Sequence, residues 1–356
     1  MRKEKIDKIL VMNLGGIGDL LLSVPFLRGL RQSYPDSFIT LWVVNRAKEI
    51  VQGLNYFDEL LVFDLQELRF SDFIFRPGRL WNALIFLLSQ RKKKYSLAIN
   101  LLPLVNILSA LKVAIVFLLI GSNKKAGRDT NGRGFIYGIK IYEKDMPGLY
   151  DVNLQASLLE EIGGKKTKKE LEIYLGEEEE SNAGRILKGC GFSDVRLLVG
   201  VNPGADWPSK RWGAGNFAEV INGLSEGMPI NVVITGGGND EGIAKELAGL
   251  LKVESCVLAG KTTLKTLAAI LKRVDLFITN DTGPMHIAIA VKTPVVAVVG
   301  PGYFKRFIPE SPDIITVRKD VDCSPCTRRE CDSMKCLREV YPFEVLHAAE
   351  RLLKRR

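Results

Sequence analysis

"VMNLGGIGDLLLSVP", residues 11–25, places three glycines between an apolar run and a leucine-rich stretch. An apolar run, a glycine turn and leucines at helical spacing, in that order, read as the strand–turn–helix start of an α/β unit. Glycines at such a turn usually cradle a phosphate, yet here they are followed by a carboxylate, Asp19, which repels one. The turn, Gly15-Gly16-Ile17-Gly18, also lacks the G-K-[ST] ending of a P-loop and the G-x-G-x-x-G spacing of a dinucleotide site. The next apolar run ends in Asn45-Arg46, not in the acid that holds an NAD ribose. Asp19 therefore has two readings. It is a helix cap, because carboxylates favour a helix N-terminus, or a general base presented on a glycine loop.

Working outward, Lys8–Asn13 reads as a strand and Asp19–Tyr34 as a helix. Strands follow at Phe38–Asn45 and Glu59–Asp64, then a helix with a basic end at Arg91–Lys94 and the strand "YSLAIN" (95–100). The pattern turns polar between Tyr150 and Glu180, so a domain junction is expected there, dividing the chain into 1–170 and 171–356. The four glutamates at 177–180 suit the first turn of a helix running to Lys188. The second half repeats the alternation, with strands at Arg196–Asn202, Ile230–Gly236, Ser255–Gly260, Val274–Asn280 and Pro294–Gly300. The expected fold is α/β, with two Rossmann-like, doubly wound parallel sheets. Ligands in such folds bind beyond the carboxyl ends of the strands.

The chain has 356 residues, 46% of them hydrophobic, enough for two cores. Its start, "MRKEKIDKILVMN", has no long apolar region or cleavage site, which points to a cytoplasmic protein. Residues 97–120, "LAINLLPLVNILSALKVAIVFLLI", are nearly long enough to span a bilayer. Asn100, Pro103, Asn106 and Lys112 interrupt them, so a buried strand followed by a helix from about Leu104 is expected instead. The net charge is +9, with basic clusters at Arg91–Lys94, Ser122–Arg128 and the terminal "RLLKRR". Such clusters are usually solvated faces; functionally they favour anionic lipid, phosphorylated glycan or nucleic acid.

Three loops of the second half carry candidate chemistry. "NPGADWPSKRW" (202–212) sets Lys210 and Arg211 beside tryptophans, suited to a phosphate or a stacked base. "TGGGNDE" (235–241) allows close backbone approach and offers Asp240 and Glu241 to a ribose, or simply caps the next helix. "NDTGPMHIAIA" (280–290) opens a helix that Asp281 or Thr282 can cap and that is entered through Pro284; the free N–H groups of that first turn make an anion site, with His286 on the same turn as a donor to phosphate or as a packed core residue. His347, on the C-terminal amphipathic helix, reads as structural. Cys323, Cys326, Cys331 and Cys336 follow C-x2-C-x4-C-x4-C, which is either a metal knuckle or a set of packed free thiols. Cys190 and Cys256 read as ordinary buried cysteines.

Together, "LGGIGDLLLSVPFLRGLRQSYP", "NPGADWPSKRW" and "NDTGPMHIAIAVKTPVVAVVGP" resemble glycosyltransferase family nine, the ADP-heptose:lipopolysaccharide heptosyltransferases. The cysteine-rich segment 323–336 looks like the family's second-heptose branch. Gly204-Ala205-Asp206 stand where the first-heptose branch has paired threonines. The resemblance implies a GT-B architecture, two Rossmann-like domains facing across a cleft. In that arrangement the acceptor belongs to 1–170, and the nucleotide-sugar, the Cys-rich segment and the C-terminal helix belong to 171–356. Asp19 matches the family's general base, with Gly15, Gly16 and Gly18 as the acceptor-side loop. Lys210 matches the lysine on the donor diphosphate, and Asp281, Thr282, Gly283 and His286 match its D-[ST]-G-x-x-H motif. Glu241 matches the acid on the ribose.

The implied activity is inverting transfer of a sugar, heptose from ADP-heptose, to a lipopolysaccharide core or related glycolipid. No acidic cluster suits Mg²⁺, so no cofactor is expected. The implied partners are the nucleotide-sugar donor, the anionic glycolipid acceptor and the cytoplasmic face of the inner membrane, which the protein meets peripherally; nucleic acid is not among them. Two rivals are a nicotinamide-dependent oxidoreductase and a basic nucleic-acid-binding module with a zinc knuckle. The first lacks a nucleotide fingerprint, and the second lacks interleaved aromatic and basic residues.

Overall fold

A computed structural model describes residues 6–64, 77–146, 148–192 and 196–355. The leader reading draws on residues 1–5 and the terminal basic run on Arg356, which lie outside the described residues. The chain divides into two compact units, Met1–Glu170 and Leu171–Arg356. The first holds β1 (Lys8–Asn13), β2 (Phe38–Val43), β3 (Glu59–Val62), β4 (Leu97–Asn100), β5 (Lys124–Asp129) and β6 (Ile139–Tyr142). In the second are β7 (Leu197–Asn202), β8 (Ile230–Ile234), β9 (Ser255–Val257), β10 (Leu276–Asn280), β11 (Val295–Val298) and β12 (Ile314–Val317).

The sheets run β3-β2-β1-β4-β5-β6 and β12-β11-β10-β7-β8-β9. Each therefore has the doubly wound order, third-second-first-fourth-fifth-sixth, and all the paired strands are parallel. Helices cover both faces of such a sheet, so its central strands are apolar throughout; Ile9, Leu10, Val11 and Met12 are all buried. The winding reverses between β1 and β4 in one unit and between β7 and β10 in the other. A crevice opens at those two places, beyond the carboxyl ends of the strands.

Residues 97–120 form β4 and the helix Ile107–Ile120. Asn106 caps this helix through the Ser109 N–H at 2.8 Å, and Gly121 ends it in the left-handed region at φ 69°. Among the described residues no helix is long and apolar enough to cross a membrane. Two expectations need correction. Cys190 and Cys256 are not ordinary buried thiols; they are half-buried and joined in a disulfide between the end of the helix Glu177–Gly189 and β9. The run Ser122–Arg128 is not a solvated basic face, because most of it is β5 and Arg128 is fully buried.

Arg128 is held as an ion. Its Nε donates to Glu143 Oε1 at 2.6 Å, Nη1 to Asp151 Oδ2 at 3.0 Å and to the Leu101 carbonyl at 3.2 Å. Burial alone disfavours its charge, but Asp151 and Glu143 outweigh that and raise its affinity for the proton. Removing one member of such a cluster strands the others in low dielectric. Arg128→Met is accordingly expected to cost about 3–5 kcal/mol of stability in urea denaturation. A loss below about 1 kcal/mol would mean that the two acids are rehydrated and the cluster does not anchor the unit.

Candidate active site

At the first unit's switch point the chain leaves β1 through Asn13. The Asn13 side chain accepts the Gly15 N–H at 3.0 Å and donates to the Asp19 carbonyl at 3.0 Å and Ser23 Oγ at 2.7 Å. This fixes the turn into the helix Ile17–Ser33. Asp19 folds back over the turn, and its Oδ2 accepts the Gly16 N–H at 2.8 Å. A Cβ on Gly15 would fall 2.5 Å from the Asp19 Cβ, so only glycine permits this fold-back. Asp19 is thus the third helical residue of a capping box, with Gly16 as the cap. Capping and base chemistry are compatible here, because a single oxygen makes the cap.

Burial pushes the Asp19 carboxyl above the ordinary aspartate range and Asp151 pushes it further; the Gly16 N–H, Arg46 and Arg128 pull it back. The sequence reading missed this surrounding set. Arg128, Glu143 and Asp151 are scattered through a stretch that looks like surface, and only the pairing of β4 with β5 and β5 with β6 carries Arg128 inward.

The second unit's switch point gathers the other candidates. Lys210, in the short turn Pro208–Lys210 after β7, donates from Nζ to Asp281 Oδ2 at 2.6 Å and to the Asp281 carbonyl at 3.2 Å. Its ammonium also lies 5.5 Å from the centre of the Trp207 ring. Thr282 is the N-cap of the helix Gly283–Ala290, which starts directly after β10 with Pro284 in its first turn. Lysine, helix N-terminus and His286 thus meet at one place. Burial lowers the His286 pKa to about 4 and Lys210 adds to the fall, against the pull of Asp281. The ring is neutral at pH 7, so it offers a neutral hydrogen-bond donor and no charge.

Asp240 stands inside this loop cluster. Arg211 Nη2 lies 3.5 Å from its Oδ1, and a Cβ on Gly204 would meet its carboxyl carbon at 2.2 Å. Glu241, by contrast, is exposed, with Lys245 at 3.4 Å. Cys323, Cys326, Cys331 and Cys336 are free thiols that line one small cavity together with Ser209 and Met334. Among the described residues no three histidine, cysteine or acidic side chains are set to hold a metal ion. The segment also supports the lysine loop: buried Ser209 donates from Oγ to the Arg328 carbonyl at 2.6 Å and from its N–H to that of Arg329 at 3.1 Å.

Residues 87–337 match a family model described as glycosyltransferase family 9 (heptosyltransferase). Over 166 residues the chain is 35% identical to lipooligosaccharide heptosyltransferase 2 of Campylobacter jejuni, a match covering 45% of this chain and 52% of that one. The chain thus spans about half the length of this first curated relative. The crystal structure of a family 9 glycosyltransferase from Veillonella parvula matches over 99% of both chains, with 26% identity and a TM-score of 0.78. E. coli heptosyltransferase WaaC with ADP-2-deoxy-2-fluoro heptose shares the fold at a TM-score of 0.69 and 18% identity, over 98% of this chain and 99% of that one. Two parallel α/β units of this kind make up the GT-B fold.

A histidine depressed from 6.5 to about 4 binds its proton less readily folded than unfolded. Its stability contribution is therefore lost as pH falls from about 6.5 towards 4, roughly 3 kcal/mol in all. His286 is expected to titrate near pH 4 by NMR, and higher in Lys210→Ala, where the neighbouring cation is gone and Asp281 remains. Titration near 6.5 in the unaltered protein would show the ring to be solvated.

Proposed function

The chain belongs to glycosyltransferase family 9, and from that premise we propose that it is an inverting heptosyltransferase. It transfers heptose from ADP-heptose to a lipopolysaccharide core or related anionic glycolipid, at the cytoplasmic face of the inner membrane. The observation that carries this reading is the division of chemistry between two switch points. A desolvated carboxylate, Asp19, stands at the one, and Lys210 beside a helix N-terminus at the other. The unit 1–170 takes the acceptor and 171–356 the donor.

Asp19 removes the proton from an acceptor hydroxyl as its oxygen forms a bond to the anomeric carbon. The bond from that carbon to the diphosphate breaks, and its electron pair leaves with ADP. Lys210 and the free N–H groups at Thr282 and Gly283 stabilise the departing negative charge, with His286 as a neutral donor. Asp281 holds Lys210 in place, and Glu241 or Asp240 meets the ribose. Gly15, Gly16 and Gly18 keep the acceptor side of Asp19 open. Family membership lends no support to a nicotinamide-dependent oxidoreductase or a nucleic-acid module.

Asp19→Asn keeps an acceptor for the Gly16 N–H but cannot take a proton. Turnover should fall about 10²–10⁴-fold while ADP affinity barely changes. In the unaltered enzyme the base must be ionised, so kcat/KM falls with falling pH through a pKa above the ordinary aspartate value. Wild-type turnover in Asp19→Asn would reduce the residue to a cap.

Lys210→Ala should weaken ADP binding roughly ten- to a hundredfold by calorimetry, the worth of a charge-assisted contact of about 1.5–3 kcal/mol. His286→Ala should act in the same direction, more weakly. Unchanged affinity in both would remove the donor from this unit.

A further inference from the structure

One surface of the first unit belongs neither to its core nor to a switch point. The helices Pro77–Arg91 and Ile107–Ile120 lie side by side on one face of the sheet. Their inner sides, through Leu87, Ala110, Val116, Phe117 and Ile120, pack into a core with Trp42 and Leu10. Their outer sides are apolar as well. Ile107, Leu108, Leu111, Ile115 and Leu118 form a stripe along the second helix, and Trp81, Ile85 and Leu88 form one along the first. All eight are between 43% and 69% exposed. A helix that is apolar all round is normally buried all round, and a contiguous exposed apolar surface of this kind marks an interaction site.

Charge identifies the partner. Residues 77–125, which include both helices and their connections, contain eight lysines and arginines and no aspartate or glutamate. Arg91, Lys92 and Lys94 are exposed where the first helix ends, and Lys112 is exposed at the edge of the second stripe. Arg91 also reaches across, its Nη1 donating to the Leu118 carbonyl at 3.3 Å, which holds the two helix ends together. Apolar side chains with a tryptophan among them, on a stretch of chain that carries basic residues and no acid of its own, match the acyl–headgroup boundary of an anionic leaflet, even though Lys93 is paired with Glu59 of β3 at 2.5 Å. A protein partner would more usually meet a rim of mixed charge.

We propose that this two-helix face docks on anionic lipid, with Trp81 and the stripe Ile107–Leu118 entering the outer few ångströms of the leaflet and the basic residues facing the headgroups. The proposal rests on the reading of the chain as working on a membrane-held acceptor, and it names the surface that reaches it.

The test uses the full chain and sedimentation with phosphatidylglycerol-containing or pure phosphatidylcholine vesicles. Binding is expected only to the anionic vesicles, weakened but not abolished by salt because the stripe is apolar. Leu108→Ser with Leu118→Ser, at exposed positions, should lower the partition at least about tenfold while leaving the melting temperature and ADP affinity unchanged. Brominated lipid should quench tryptophan fluorescence in the unaltered protein and much less in Trp81→Phe. Equal vesicle binding by the double variant would overturn the proposal. So would a self-association that the double variant breaks without loss of vesicle binding, because the face would then be a contact between copies. Transfer to a detergent-solubilised acceptor separates the two readings: its absence in the unaltered protein refutes the proposed activity and leaves the lipid result standing.

Discussion

Four buried asparagines hold the loops on which the proposed chemistry depends. β1, β4, β7 and β10, the strands that flank the two switch points, end in Asn13, Asn100, Asn202 and Asn280. A parallel strand that stops in the interior leaves peptide groups that must be satisfied. An amide side chain can both donate and accept, so each of these residues ties down the loop that follows or its neighbour. Asn13 binds the turn before Asp19. Asn100 donates to the Leu102 carbonyl and the Tyr137 hydroxyl, and Asn202 to the Gly204 carbonyl. Asn280 crosses between loops, donating to the carbonyls of Pro203 and Gly204 and accepting the Trp212 N–H. The loop carrying Lys210 is thereby fixed to the strand that delivers Asp281.

Much of this was legible in the sequence. The strand β1 and the helices after β1 and β10 follow from apolar runs broken by Gly, Asn and Asp-Thr-Gly, because a fully buried parallel strand must be apolar along its whole length. β5, β6 and β12 were not legible, for a physical reason. β5 reads "KKAGRD", and its inward residues are charged. Arg128 and Asp129 are tolerated inside because Glu143, Asp151 and Lys140 neutralise them, and partners 11 to 23 residues away leave no periodicity. The asparagines were in plain view, yet a lone asparagine at a strand end looks like a turn residue until its partners are known. The disulfide between Cys190 and Cys256 likewise joins residues 66 apart, which spacing alone does not reveal.

The C-terminal part of the second unit also bears on Lys210. Ser209, its neighbour, is pinned to the backbone of the cysteine-rich segment, and Trp212 Nε1 donates to the Val340 carbonyl at 3.1 Å. Trp207 has Lys210 on one contact and the Arg329 guanidinium, 5.8 Å from the ring centre, on another. A segment whose thiols surround a small cavity thus determines where the lysine's loop sits.

In the proposed donor site, the Lys210–Asp281 pair governs how strongly that lysine holds a phosphate. The side chains are 23% and 7% exposed, so the pair has already lost much of its hydration. Stripping water from an ammonium costs several kcal/mol when no partner compensates. Asp281 supplies that partner in advance and holds the lysine two residues before the helix Gly283–Ala290. On the proposed reading a diphosphate shares a cation already desolvated and positioned, and the rest of its charge meets the helix N–H groups. The carboxylate weakens the net attraction but removes the cost of ordering a long side chain. That exchange favours the group whose charge grows during the reaction, because preorganised donors act most strongly on charge that develops after binding.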